Sequence, residues 1–143
     1  MSDSENKYIK MYREGPRKTD YFANDMGLVV TDADLGYAKG EMEIKPRYRN
    51  PMKRVHGAVP FTVADTLGGI AVMTYGRPWP TINASVDFLR SFGDSEKISG
   101  EARVIKNGRR IKTVDVSLYD DAQRLCMKCL LQYFNAEGDS REA

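Results

Sequence analysis

The residues that most often build metal and nucleophile sites are scarce here: 143 residues contain one histidine, His56, and two cysteines, Cys126 and Cys129. With no second cysteine pair, a four-ligand zinc site of the usual kind is excluded. No apolar run approaches the ~18 residues of a membrane span, and no signal-peptide pattern opens the chain, so the expectation is a cytoplasmic protein with no membrane partner. A surplus of either charge is also missing. The 22 basic and 20 acidic residues leave a net +2, too even for the basic face that nucleic-acid binding demands. Internal repeats, low-complexity tracts, Gly-rich dinucleotide loops and Pro/Gly/Ser linkers are absent too, which leaves one ordinary domain with one core.

The CxxC spacing of Cys126 and Cys129 raises a metal or redox reading, but its neighbours argue against it. In "RLCMKCLLQYF" the apolar residues alternate with a period of two, as on a strand. Residues three apart on a strand face opposite ways. The two thiols therefore diverge and read as reduced packing residues, with no metal site.

What the sequence does contain is a clear order of elements. "SDSENKYIKMYREG" places Ile9 and Tyr12 at helical spacing between a Ser/Asp-rich cap and Gly15-Pro16, which predicts a short amphipathic helix. "TDYFANDMG" adds a further turn or two, and "LVVTDADLGYAKGEMEI" predicts a hairpin. From Gly57 to about Gly76, apolar residues lie on nearly every side, as expected of a helix enclosed by other structure. After "RPWP" come four strand-like stretches, "TINASVDFLRS", "KISGEARVIK", "RIKTVDVSLYD" and "RLCMKCLLQYF". They are joined by "FGDSE", "KNGRR" and "YDDAQ", links too short for parallel crossovers. The expected fold is therefore α+β, a curved antiparallel sheet wrapped around one central helix. Residues 1–18 form a helical extension, 19–136 the domain, and 137–143 a flexible tail.

The chemistry-bearing residues cluster at the start of that helix. Pro60 lacks an amide hydrogen and fits only a first turn, so the helix must begin near Gly57 or Ala58. Its unpaired amides, together with the helix dipole, make a donor site that a glycine at position 57 leaves open to a ligand. Such a site can serve as an oxyanion hole. It can equally be no more than a relaxed start to the helix. Asp65, two turns on, is an odd carboxylate in an apolar helix, explained by a structural bond to Thr62 or a sheet arginine, or else by catalysis. Eight residues separate it from Gly57, about 12 Å along the axis, so both can act on one carbonyl only if two chains contribute. His56 would orient the helix start; Asn50 and Thr81, taken alone, read as turn or cap residues. Arg90, Arg109 and Arg110 are solvated charges unless a phosphate-bearing ligand reaches the helix mouth.

Together, Asn50, Val55-His56-Gly57-Ala58, Ala64-Asp65-Thr66, Thr81, Phe88-Leu89-Arg90, Lys106-Asn107-Gly108-Arg109-Arg110 and Val114-Asp115-Val116 resemble the hotdog-fold acyl-CoA thioesterases of the phenylacetate-degradation (PaaI) type. The match covers roughly residues 20 to 135. The resemblance implies a helix gripped by its sheet, chains paired edge to edge as homodimers and commonly as dimers of dimers, and a thioester bound at the dimer interface. It further implies that the Gly57 amide polarises the thioester carbonyl while Asp65 of the other chain acts as base or nucleophile. Asn50 and His56 would shape the glycine side, Thr81 would lie near the attacking water, and the arginines near the coenzyme A phosphates. No cofactor is implied, coenzyme A being part of the substrate. Many relatives have a second glycine where this chain has Ala58, a change that bears on the approach of the acyl group. Hotdog dehydratases expect a glutamate farther along the helix, where this sequence has Ile70 to Met73. The rival reading is a hotdog domain that binds acyl-CoA without cleaving it.

Overall fold

The computed structural model describes residues 6–15 and 21–139. The elements are α1 (Lys7–Glu14), α2 (Tyr21–Met26), β1 (Leu28–Asp34), β2 (Tyr37–Glu43), a 3-10 turn (Pro46–Tyr48), α3 (Ala58–Met73), β3 (Thr81–Phe88), β4 (Lys97–Asn107), β5 (Ile111–Tyr119) and β6 (Leu125–Phe134). Asn6 caps α1, its side chain accepting from Tyr8 and Ile9 N–H. The Ser/Asp cap expected at residues 2–4 and the stop at Pro16 lie outside the described residues. No helix among the described residues is long and apolar enough to cross a membrane.

All six strands join in one antiparallel sheet, in the order β1-β2-β4-β5-β6-β3. This arrangement corrects one expectation. "KNGRR" and "YDDAQ" do turn between neighbouring strands, but "FGDSE" does not: β3 pairs with β6, while β4 lies between β2 and β5. Residues 89–96 therefore carry the chain past the ends of β6 and β5. The physical reason is that Phe92 is drawn into the core and Leu89 and Arg90 N–H both donate to Cys126 O, which anchors the link on β6 instead of closing a hairpin.

The sheet closes tightly on α3 because small residues face it. Gly40 and Gly100 are direct cross-strand partners on β2 and β4, and a Cβ on them would come within 3.0 Å and 3.4 Å of the Leu67 side chain respectively. Leu67, fully buried, sits in the notch they leave. At its far end α3 stops at Met73, three residues earlier than a helix reaching Gly76, and Gly76 takes φ 142°, a conformation other residues rarely adopt. Thr74 Oγ1 donates to Ala71 O and accepts from Gly36 N–H at 2.7 Å, tying the helix end to the β1–β2 turn.

Two further expectations are modified. The helix is not enclosed all round: Ala58 is exposed and Phe61, Thr62, Asp65 and Gly69 are only half-buried, which at helical spacing forms one open stripe. The chain beyond β6 is not loose from residue 137 on, because Asp139 is buried and pairs with the buried Lys112 Nζ at 2.7 Å. Lys112 also donates to Asn107 Oδ1 and lies over the rings of Trp79 and Tyr75, so its charge is satisfied on every side it presents. Residues 140–143 of the expected tail lie outside the described residues.

Candidate active site at the open edge of the sheet

The two edges of the sheet differ. Against β1 lies α1, joined to it by Asn6 Nδ2 donating to Ala33 O at 2.8 Å. Along β3, every residue except the half-buried Val86 is exposed. Ile82, Phe88 and Leu89 are each more than half exposed there, an apolar edge of the kind proteins otherwise cover or charge. The open stripe of α3 and the open edge of β3 together frame the candidate site.

At the Phe88 end stands the start of α3. Gly57 has ordinary helical angles, φ −56° and ψ −27°, so backbone strain does not demand a glycine. A Cβ there would meet only the Phe88 ring, at 3.5 Å. The first-turn donors can be accounted for one by one. His56 Nδ1 accepts from Ala58 N–H at 3.4 Å and His56 O from Val59 N–H at 2.9 Å; Pro60 has no N–H, and Phe61 N–H is bonded to Gly57 O. Among the described residues, no acceptor holds the Gly57 N–H. The free donor of the helix start is therefore Gly57, whereas the Ala58 amide is already engaged. His56 thus supplies two acceptors to the first turn, its Nδ1 and its carbonyl oxygen.

Around Gly57 is an open cleft of about 310 Å³ lined by Arg54, Pro60, Phe88, Leu89 and Arg90, among others. Arg90 therefore borders this cleft, beside the helix mouth. Asn50 does not: its side chain accepts from Met52 and Arg54 N–H and shapes the 50–54 turn, in which Lys53 takes a left-handed φ of 64°. Asn50 borders a different cleft, with Arg49 and Asp94. Arg109 and Arg110 are exposed at the β4–β5 turn. That turn is close to the other end of the open edge, since Asn135 N–H donates to Arg110 O and Phe134 N–H to Pro80 O.

At this second end is Asp65. Its expected structural partners are absent: Thr62 donates to Ala58 O, and no arginine reaches the carboxylate among the described ion pairs. Instead Asp65 Oδ1 accepts from Thr81 Oγ1 at 2.8 Å and from Tyr133 Oη at 3.1 Å. Tyr133, 1% exposed, was not singled out in the sequence, although its period-two position on β6 faces it inward. Burial first, and the Asp65 charge second, push its hydroxyl far above the usual tyrosine range, so it stays protonated and donates. Cys129 is raised to about 11, again by burial and then by the Asp65 and Asp115 charges, which leaves it a thiol and not a nucleophile. Both cysteines are free and buried.

A carboxylate held by two hydroxyls and a free helix-start amide stand at opposite ends of one open edge. The family model of the Thioesterase superfamily matches residues 52–127, more than half of the chain and the segment that holds both groups. This protein belongs to the Thioesterase superfamily. Membership carries the class of chemistry, thioester hydrolysis by an enzyme. "Putative esterase Ta0293" of Thermoplasma acidophilum is 30% identical over 120 residues, 79% of this chain and 90% of that one. The acyl-coenzyme A thioesterase PaaI of Escherichia coli is 23% identical over 107 residues, covering 75% of this chain and 76% of its own. The solved structure of that PaaI covers 95% of this chain and 99% of its own with a TM-score of 0.85 at 20% identity, which establishes the hotdog fold. A Streptococcus mutans protein solved bound to acetyl CoA shares the fold at a TM-score of 0.74 and 21% identity, over 80% of this chain and 92% of that one.

Proposed function

We propose that this superfamily member hydrolyses an acyl-CoA thioester to the free acid and coenzyme A, in a site completed by a second copy of the chain. The observation that carries the reading is where two groups of α3 stand along β3: Gly57 lies beside Phe88 at one end, and Asp65 is bonded to Thr81 at the other. Pairing the exposed β3 edges of two copies antiparallel sets the Thr81 end of one opposite the Phe88 end of the other. Asp65 of one chain then faces Gly57 of its partner, whereas within one chain about 12 Å of helix separates them.

In that arrangement the thioester oxygen accepts from the Gly57 N–H, reinforced by the helix dipole, as negative charge develops on it. Asp65 takes the proton of a water that attacks the carbonyl carbon, or attacks it directly to form a mixed anhydride that water then opens. On either route the carbon–sulfur bond breaks and the coenzyme leaves as its thiol. Thr81 holds the carboxylate, His56 holds the helix start, and Ala58 borders the acyl path. Arg90, together with Arg109 and Arg110 at the far end of the facing chain, supplies cations for the coenzyme phosphates. The acetyl-CoA-bound relative supports this substrate class.

Release of free thiol from short, medium, long and aromatic acyl-CoAs is the direct assay. Retained acyl-CoA binding with no thiol released from any of them at high enzyme concentration would replace hydrolase by binding module. The two-chain site is tested by co-expressing Asp65→Asn with Gly57→Val, each inactive alone. Mixed dimers should regain about one working site of two; verified mixed dimers with no activity above either parent would rule it out.

A further inference from the structure

The geometry points to Tyr133 as a positioning residue that, together with Thr81, fixes which oxygen of Asp65 does the chemistry. The inference deepens the hydrolase reading and rests on it. Tyr133 Oη lies 3.1 Å from Asp65 Oδ1 and 3.0 Å from Asp65 O, so its single proton is shared between the carboxylate and the backbone of the same residue. Thr81 Oγ1 donates to the same Oδ1 at 2.8 Å. Two donors therefore load one oxygen, and the lone pairs of Oδ2 are left to face water or thioester. A carboxylate gripped from β3 and β6 at once cannot rotate to swap its oxygens without losing both bonds.

The sequence shapes this contact on the helix side as well. A Cβ on Gly68 would stand 2.5 Å from Tyr133 Oη and 2.9 Å from Leu131 Cδ1. The glycine, one helical turn from Asp65 on the buried side, is thus the space into which the tyrosine hydroxyl fits. Tyr133 is 1% exposed, so it acts through Asp65 and not on substrate.

The test is the steady-state kinetics of Tyr133→Phe, which keeps the ring and removes only the hydroxyl, alongside Gly68→Ala, which keeps the hydroxyl and displaces it. Both should lower kcat about tenfold, the usual scale for one hydrogen bond to a charged group. KM should stay within about twofold, and the dimer mass unchanged. A Tyr133→Phe variant with wild-type kcat overturns the inference, as does one whose loss falls on KM or follows the folded fraction. Combining Tyr133→Phe with Thr81→Ala should cost more than either alone, since each leaves the other donor in place. Asp65→Asn separates the two levels of argument. If it keeps wild-type turnover the hydrolase reading itself fails; if it is inactive while Tyr133→Phe is fully active, only the positioning role falls.

Discussion

The two ends of the open edge are built by different means. At the Gly57 end the proposed reactive group is a backbone N–H, left open because His56 and Gly57 O take the other donors of the first turn and Pro60 has none. At the Asp65 end it is a side chain, held by Thr81 from β3 and Tyr133 from β6. A backbone donor depends on where a helix begins and tolerates many side chains nearby. A side-chain acid depends on distant partners, so it can be disarmed from positions that never meet the substrate.

The largest effect should come from deleting the backbone donor alone. Gly57→Pro suits the observed φ of −56° and removes an N–H that holds no acceptor in the fold. Loss of one oxyanion donor costs about 10²- to 10³-fold in kcat, so a folded Gly57→Pro dimer with near-wild-type turnover would show that the amide is not used. Next is Asp65→Asn, for which kcat should fall 10²-fold or more, in the range of general-base loss, with KM little changed. The Asn amide oxygen can still accept from Thr81 and Tyr133, so thermal stability should hold. A drop in melting temperature with unchanged turnover per folded dimer would mark Asp65 as structural.

Adding one methyl group sharpens the contrast. Gly57→Ala should fold as well as the wild type, because its Cβ meets the Phe88 ring at an ordinary 3.5 Å. Gly68→Ala should lose on the order of 1–3 kcal/mol, the usual cost of overpacking a core, because Tyr133 Oη and Leu131 must both move. Denaturant midpoints of the two variants measure the difference; equal midpoints would mean the sheet yields more easily than its packing implies. The smallest effect concerns Cys129. The folded chain keeps the thiol proton up to about pH 11, whereas the unfolded thiol loses it near 9.0. The stability this contributes is whole below pH 9 and disappears as the pH rises towards 11. Thermal unfolding between pH 8 and 11 should therefore fall more steeply for the wild type than for Cys129→Ala.

Much of this was legible in the residues. Extended runs and the turn residues between them outlined all six strands, with β3 the least exact: the stretch expected to reach Ser91 ends at Phe88, where Leu89 and Arg90 N–H turn to Cys126 O. Pro60 located the helix start, since no other turn of a helix accepts it. The sequence by itself therefore determined the elements, the apolar helix at the centre and the family resemblance carried by His56-Gly57 and Asp65. Strand order was not determined: "FGDSE" has the length and composition of a hairpin turn, and only the burial of Phe92 and the two bonds to Cys126 O show that it crosses the sheet instead. Nor could the helix pattern reveal its open stripe, because Phe61 and Gly69 look as buried as Val63 and Leu67 until the sheet is seen to stop short of them. Asn50 read as a site residue from its place in a motif, and only the structure shows that its Oδ1 accepts from Met52 and Arg54 N–H in its own turn. Tyr133, 68 residues from Asp65 along the chain, became its partner only through the tertiary structure. Periodicity is local and can be read from neighbours, whereas a hydrogen bond between a helix and a strand exists only after the chain has closed, and that is where the carboxylate acquires its geometry.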